Sequence, residues 1–156
     1  MLHTISDHFM RTMYSAMFTL AFHAFLRIGE ITVQTTAHQN DNLIQLSQVI
    51  FFPQASYNHF STLHTRLWTT IYIACGNQQT PATSPIAHLQ AYLTLMGATP
   101  GPVFMNKNGE LVSRVEFSTE LRRVLCFCGF NSTHFKSHSF RNRHSAEAAR
   151  QGFSDN

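Results

Sequence analysis

The sequence predicts an α+β domain that is mostly α. Apolar residues recur three and four apart in three stretches, before residue 25, after residue 84 and after residue 113, as on one helical face. Between the first two, residues 67–74 (LWTTIYIA) are rich in β-branched and aromatic side chains and alternate with a period of two. The 156 residues are 44% hydrophobic and include 14 Phe, enough for one core. A chain this long forms a single domain, 1–156, that buries about two-thirds of its unfolded surface.

The first helix is expected over about residues 6–25, with Phe9, Met13, Met17, Leu20 and Ala24 on one face and Ser6 as its cap. Gly29 marks a bend or helix junction, and residues 35–42 read as a polar loop. Residues 49–52 are a short apolar run that Pro53 terminates, and residues 54–60 are polar and ambiguous. Residues 67–74 then place Leu67, Thr69, Ile71 and Ile73 on one face of a strand, so a small antiparallel sheet is expected here.

After a polar loop at 76–83, Ser84 caps a helix with Pro85 at its first position. Leu89, Tyr92, Leu93 and Met96 form its apolar stripe and Gly97 stops it. Pro100-Gly101-Pro102 is a rigid connector. Asn108-Gly109, between Val103-Phe104 and Leu111-Val112, signals a tight turn. Ser113 and Glu116 make a capping box for a helix through Phe117, Leu121, Val124 and Leu125, which Gly129 ends. A last helix begins near Ser137 and runs to about Gln151, with Gly152 as its stop.

Composition narrows the function classes. Eleven Lys and Arg against eight Asp and Glu give +3, a weak tilt towards an anionic partner. No apolar run approaches the roughly 20 residues of a membrane span, and the start, with His3, Asp7 and His8, does not read as a secretory signal. Three Cys suit a reducing intracellular compartment, not a disulfide scaffold. No Gly-rich phosphate loop or G-x-S-x-G elbow is present. The aromatics fall in apolar stripes and read as core.

The main chemical candidates are Arg27, His138 and Arg141. His138 and Arg141, three apart at a helix start behind Ser137, share one face, and the helix terminus adds partial positive charge. Two guanidiniums and an imidazole suit the charge that phosphoryl transfer builds on non-bridging oxygens. The same residues also read structurally, as a surface or Glu30-paired Arg and a capping His. Cys126, Cys128, His134 and His138 form a rival zinc set. One residue between two helical Cys points the thiols apart, however, and both read equally as small buried hydrophobes. No metal or other cofactor is therefore expected.

Three stretches together resemble the catalytic domain of the tyrosine recombinases (phage-integrase type), most closely those of eukaryotic mobile elements. Ala24-Phe25-Leu26-Arg27-Ile28-Gly29-Glu30-Ile31-Thr32 is similar to that family's first-arginine box. Pro102-Val103-Phe104 through Gly109-Glu110-Leu111-Val112, with the capped helix after it, resembles the hairpin-and-helix that follows. His138-Ser139-Phe140-Arg141 through Ala146-Glu147-Ala148-Ala149 and Gly152-Phe153-Ser154-Asp155 resembles the His-x-x-Arg box. The likeness spans residues 10–156 in the family's order.

It implies a helical, integrase-like fold and a DNA duplex as partner. In that chemistry a tyrosine attacks a phosphodiester, forms a 3′-phosphotyrosine link and is displaced by a 5′-hydroxyl, the basis of DNA recombination and integration. Arg27 and Arg141 would clamp the scissile phosphate, His138 would hydrogen-bond it or assist proton transfer, and Glu30 would brace the first-arginine turn. An intracellular location is implied, nuclear in a eukaryote, without membrane or small-molecule partners.

The departures are specific. The family's general-acid Lys lies between its second and third strands. Residues 57–69 hold no Lys, and His59, His64 and Arg66 are the nearest substitutes; Lys107 and Lys136 are the only lysines and lie elsewhere. Tyr14, Tyr57, Tyr72 and Tyr92 all precede His138, whereas the family's nucleophile follows it. The expectation is a partial catalytic domain, its C-terminal part missing, that does not cut DNA alone. The Tyr is either lost or supplied in trans by a second copy or another partner. The alternative is a non-catalytic DNA- or protein-binding module derived from a mobile element.

Overall fold

The computed structural model describes residues 7–23, 26–34, 43–51, 59–64, 70–75, 82–97 and 99–134. In β2, β3 and most of β1 below, the description is confined to the backbone. The expected Ser6 cap, the 35–42 loop, residues 52–58, the strand start at Leu67, most of the 76–83 loop and the helix from Ser137 to about Gln151 lie outside the described residues.

Among the described residues the fold is mostly helical. Helix α1 spans His8–His23. Its first turn is capped by Asp7. The Asp7 carboxylate accepts the backbone N–H of Phe9 at 2.8 Å and of Met10 at 3.2 Å, satisfying two donors that the first helical turn leaves over. The buried face is wider than the predicted stripe: Tyr14, Ala16 and Ala21 join Met13, Met17 and Leu20. It packs along α3, Pro85–Met96. Phe9 meets Tyr92 edge-on at 5.7 Å, and Tyr92 stacks on Phe104 at 5.5 Å.

A single turn, α2 (Ile28–Ile31), follows α1. After a 3₁₀ turn at Leu46–Gln48 come β1 (Val49–Phe51), β2 (His59–His64) and β3 (Thr70–Cys75), paired antiparallel in that order. Ile50 lies opposite Thr62, and Thr62 opposite Tyr72. β2 falls partly in the stretch that was ambiguous from sequence, because His, Ser and Thr hide its strand alternation. Its two neighbours supply the backbone partners.

α3 begins as expected, with Ser84 Oγ accepting the Ala87 N–H at 3.3 Å. Leu89 and Tyr92 are fully buried, and Leu93 and Met96 pack at the edge of the core. The Pro100-Gly101-Pro102 connector is zipped onto the segment after α2, through Leu46 N–H to Gly101 O (2.8 Å) and Val103 N–H to Ile44 O (2.9 Å).

In the Asn108-Gly109 turn, Asn106 donates to Glu110 O and accepts from the Gly109 N–H, leaving three residues in the loop with Gly109 left-handed at φ 78°. That is a type I turn closed by a glycine bulge, not a two-residue hairpin. Asn106 Oδ1 also takes the N–H groups of Asn108 and Glu110, each at 2.9 Å.

α4 spans Arg114–Phe127 and carries the full capping box. Ser113 Oγ accepts from Glu116 N–H at 3.1 Å, and Glu116 Oε2 accepts from Ser113 N–H at 2.8 Å. At its other end Gly129 N–H bonds to Cys126 O and Phe130 N–H to Leu125 O. With Gly129 at φ 77° this is a Schellman stop. Phe117 and Val124 bury the inner face, and Phe117 meets Phe18 of α1 edge-on at 5.0 Å. No described helix is long and apolar enough to cross a membrane.

Candidate nucleic-acid interface

Arg27 is built into the α2 turn by its neighbours. Leu26 and Ile28 on either side are 2% and 5% exposed, and Ile31 is 3% exposed. Burying each such side chain stabilises by about 1.5–3 kcal/mol, so the backbone at Arg27 has little freedom. With both neighbours inside, Arg27 is left exposed.

Glu30 Oε2 accepts the Arg27 backbone N–H at 2.7 Å, and Glu30 N–H returns to Arg27 O at 2.8 Å. A guanidinium offers no acceptor, so only the Glu30 half of a capping box exists here. The carboxylate braces the backbone under Arg27, and no ion pair joins the two side chains among the described residues.

Non-local bonds lock the same turn. Thr32, 1% exposed, donates from Oγ1 to Ile28 O at 2.7 Å. Val33 donates to Val112 O at 3.0 Å and accepts the Arg114 N–H at 2.8 Å, a short parallel bridge that seats the start of α4 against the end of α2. Ile44 N–H donates to Glu30 O at 3.0 Å. The Arg27 turn is thus tied to two segments that are distant in sequence.

The bridge also brings in a residue that the sequence did not single out. Arg114 lies against α2, its Nη2 3.7 Å from where a Cβ on Gly29 would sit. Its position directly after the Ser113 cap was the available signal, but only the Val33–Ser113 pairing reveals which turn it adjoins.

His138 and Arg141 lie outside the described residues, as do Lys136 and Tyr57. Of the other predicted elements, Cys126 is exposed and Cys128 half-buried, both as free thiols. Neither is the buried hydrophobe that the structural alternative expected: nine residues on from the buried Phe117, Cys126 lies on the opposite face of α4, and Cys128 is its C-cap residue. Among the described residues, no three His, Cys, Asp or Glu gather where they would hold a metal ion.

Tyr14 and Tyr92, 2% and 0% exposed, are core residues. The Tyr92 hydroxyl donates to Met105 O at 2.9 Å and accepts the Met105 N–H at 3.0 Å. Burial raises both phenols above the ordinary value, and Glu116 and Glu120 raise Tyr14 further. Neither ring is accessible to a phosphodiester or inclined to ionise.

Lys107 is not a free cation. It pairs at 2.5 Å with Asp7, the cap of α1, and sits 6.0 Å from the Phe9 ring centre. Compared with known protein families, with curated proteins and with solved structures, the chain gives no match. The three motif stretches and the geometry around Arg27 therefore carry the functional conclusion.

Proposed function

We propose that this chain is a DNA-binding domain of the tyrosine-recombinase kind that grips a backbone phosphate and does not itself cut the strand. The observation that carries the proposal is Arg27. A cationic, acceptor-less side chain occupies a helix N-cap, a position where Ser, Thr, Asp or Asn stabilises. It is held exposed between two buried neighbours, and Glu30 steadies its backbone. An exposed guanidinium on a fixed backbone suits bidentate recognition of phosphate.

In this proposal Arg141 completes the clamp and His138 hydrogen-bonds the phosphate. The three strands between the α2 turn and α3, with the capped α4 ahead of the His-x-x-Arg stretch, are the elements that an integrase-like arrangement requires. The DNA duplex is the partner, and a mobile element is the origin that the motif stretches suggest.

The lack of cutting is favoured by specific residues. Tyr14 and Tyr92 are sealed in the core, and Lys107 is engaged by Asp7. With these groups engaged elsewhere, phosphate binding and electrostatics are what the described residues offer.

Two measurements test this. Binding to duplex DNA should weaken steeply as salt rises, and both Arg27→Ala and Arg141→Ala should weaken it further. A nicked suicide duplex should yield no covalent adduct. A trapped adduct would overturn the non-cutting half. Salt-independent binding, or binding by both variants as tight as the parent chain's, would overturn the phosphate grip.

A further inference from the structure

Tyr92 shares one hydroxyl proton between two acceptors. The hydroxyl donates to Met105 O at 2.9 Å and to Met96 Sδ at 3.1 Å, and it accepts the Met105 N–H at 3.0 Å. The ring is fully buried and in contact with Phe9 and Phe104. One phenol therefore ties the segment before the Asn106–Gly109 turn to α3, through both the N–H and the C=O of Met105.

The sulfur is the unusual member of this set. A thioether is a weak acceptor that packs as an apolar group and needs no polar partner. Among the described residues, Met96 is the methionine whose sulfur takes a hydrogen bond.

The described methionines also differ in access. Met13 and Met17 are 0% exposed in the core, whereas Met10, Met96 and Met105 are half-buried. Met96 is the last residue of α3. Gly97 follows it in a left-handed conformation at φ 79°, and nothing lies within 4 Å of where a Cβ on Gly97 would sit. The end of the helix is thus open on the side next to the sulfur's own residue.

We propose that Met96 is a modification site, oxidised by peroxides to the sulfoxide, and that the modification breaks the shared bond of Tyr92. In the step a sulfur lone pair attacks one oxygen of hydrogen peroxide. An S–O bond forms, the O–O bond breaks, and the other oxygen leaves as water with both peroxide protons. Sulfur loses two electrons and the peroxide gains them. The product is a polar side chain that methionine sulfoxide reductases return to the thioether.

The geometry sets the consequence. At 3.1 Å no oxygen fits between sulfur and hydroxyl, since an O–H···O bond alone spans about 2.7 Å. The side chain has to turn. Its new oxygen, a stronger acceptor than the thioether, then either draws the Tyr92 proton from Met105 O or moves into water and takes the sulfur with it. Both outcomes end the arrangement in which one proton serves α3 and Met105 together.

The test treats the parent chain, Met96→Leu and Tyr92→Phe with hydrogen peroxide. Peptide mapping locates each added oxygen, and melting temperatures are read before and after. In the parent chain Met96 should oxidise ahead of Met13 and Met17. The melting temperature should fall further in the parent than in Met96→Leu, which keeps every other methionine, by about 2–4 °C, the effect of roughly one hydrogen bond in a chain of this size. Tyr92→Phe, which lacks the hydroxyl, should show the smaller fall as well.

Met96 left unmodified while Met10 and Met105 oxidise would overturn the site. Equal falls in the parent and in Met96→Leu would overturn the effect on Tyr92, and that comparison decides the matter even if Tyr92→Phe does not fold.

Discussion

The turns that open α2 and α4 are built on the same plan and resolved differently. Each has a Glu three residues after the N-cap whose carboxylate takes the cap residue's N–H, at 2.7 Å for Glu30 and 2.8 Å for Glu116. At α4 the cap is Ser113, whose hydroxyl closes the reciprocal bond, and a 14-residue helix follows. At α2 the cap is Arg27, which closes nothing, and the helix lasts four residues. One turn is stabilised locally. The other gives up half of its capping box to hold a guanidinium in solvent, and tertiary packing of Leu26, Ile28 and Ile31 holds it together. A position where local stability is forgone while the surroundings fix the backbone is where a function is to be sought.

Breaking the packing should have the largest effect. Leu26→Ala should cost about 2–5 kcal/mol and Phe117→Ala about 3–5 kcal/mol by denaturant titration. A loss below about 1 kcal/mol for Leu26→Ala would show that the α2 turn does not depend on its buried flank. Next comes the cap itself. Ser113→Ala should cost about 1 kcal/mol, read in the same titration, because it removes the acceptor that the α2 turn never had.

The sharpest test of the contrast is Arg27→Ser, which restores the missing acceptor. It should stabilise the chain by about 0.5 kcal/mol while weakening duplex binding. A variant less stable than the parent would mean that the guanidinium itself holds the turn.

The smallest effect should come from the link between the hairpin and α1. The Lys107 hydrogen bond, then the Met10 N–H, hold the Asp7 carboxyl below its ordinary value of 3.8. A lowered folded-state value means that the contribution is present above the ordinary value and lost as pH falls through the folded one. The melting temperature should therefore drop on acidification below about pH 4, and less so in Lys107→Met. As an exposed pair it should also fade at high salt. Parallel pH profiles for parent and Lys107→Met would sink this assignment.

What could be read from the chain alone follows from range. The Ser84 and Ser113 caps, the Gly97 and Gly129 stops and the Asn106–Gly109 turn depend on residues within about five positions of each other, and each stands where sequence placed it. The apolar stripes of α1, α3 and α4 were legible for the same reason. β2 was obscured because a polar strand is defined by its partners.

The sequence by itself determined that the described residues are mostly helical, where α3 and α4 start and stop, and that Arg27 stands beside Glu30. Only the tertiary structure decided that Tyr14 and Tyr92 are core, that Lys107 belongs to Asp7, and that Arg114 lies against Gly29 with the acids of α4 turned away. Those are interactions between residues 13 to 109 apart. No local pattern specifies them, because the burial and backbone pairing that bring such segments together are properties of the packed chain.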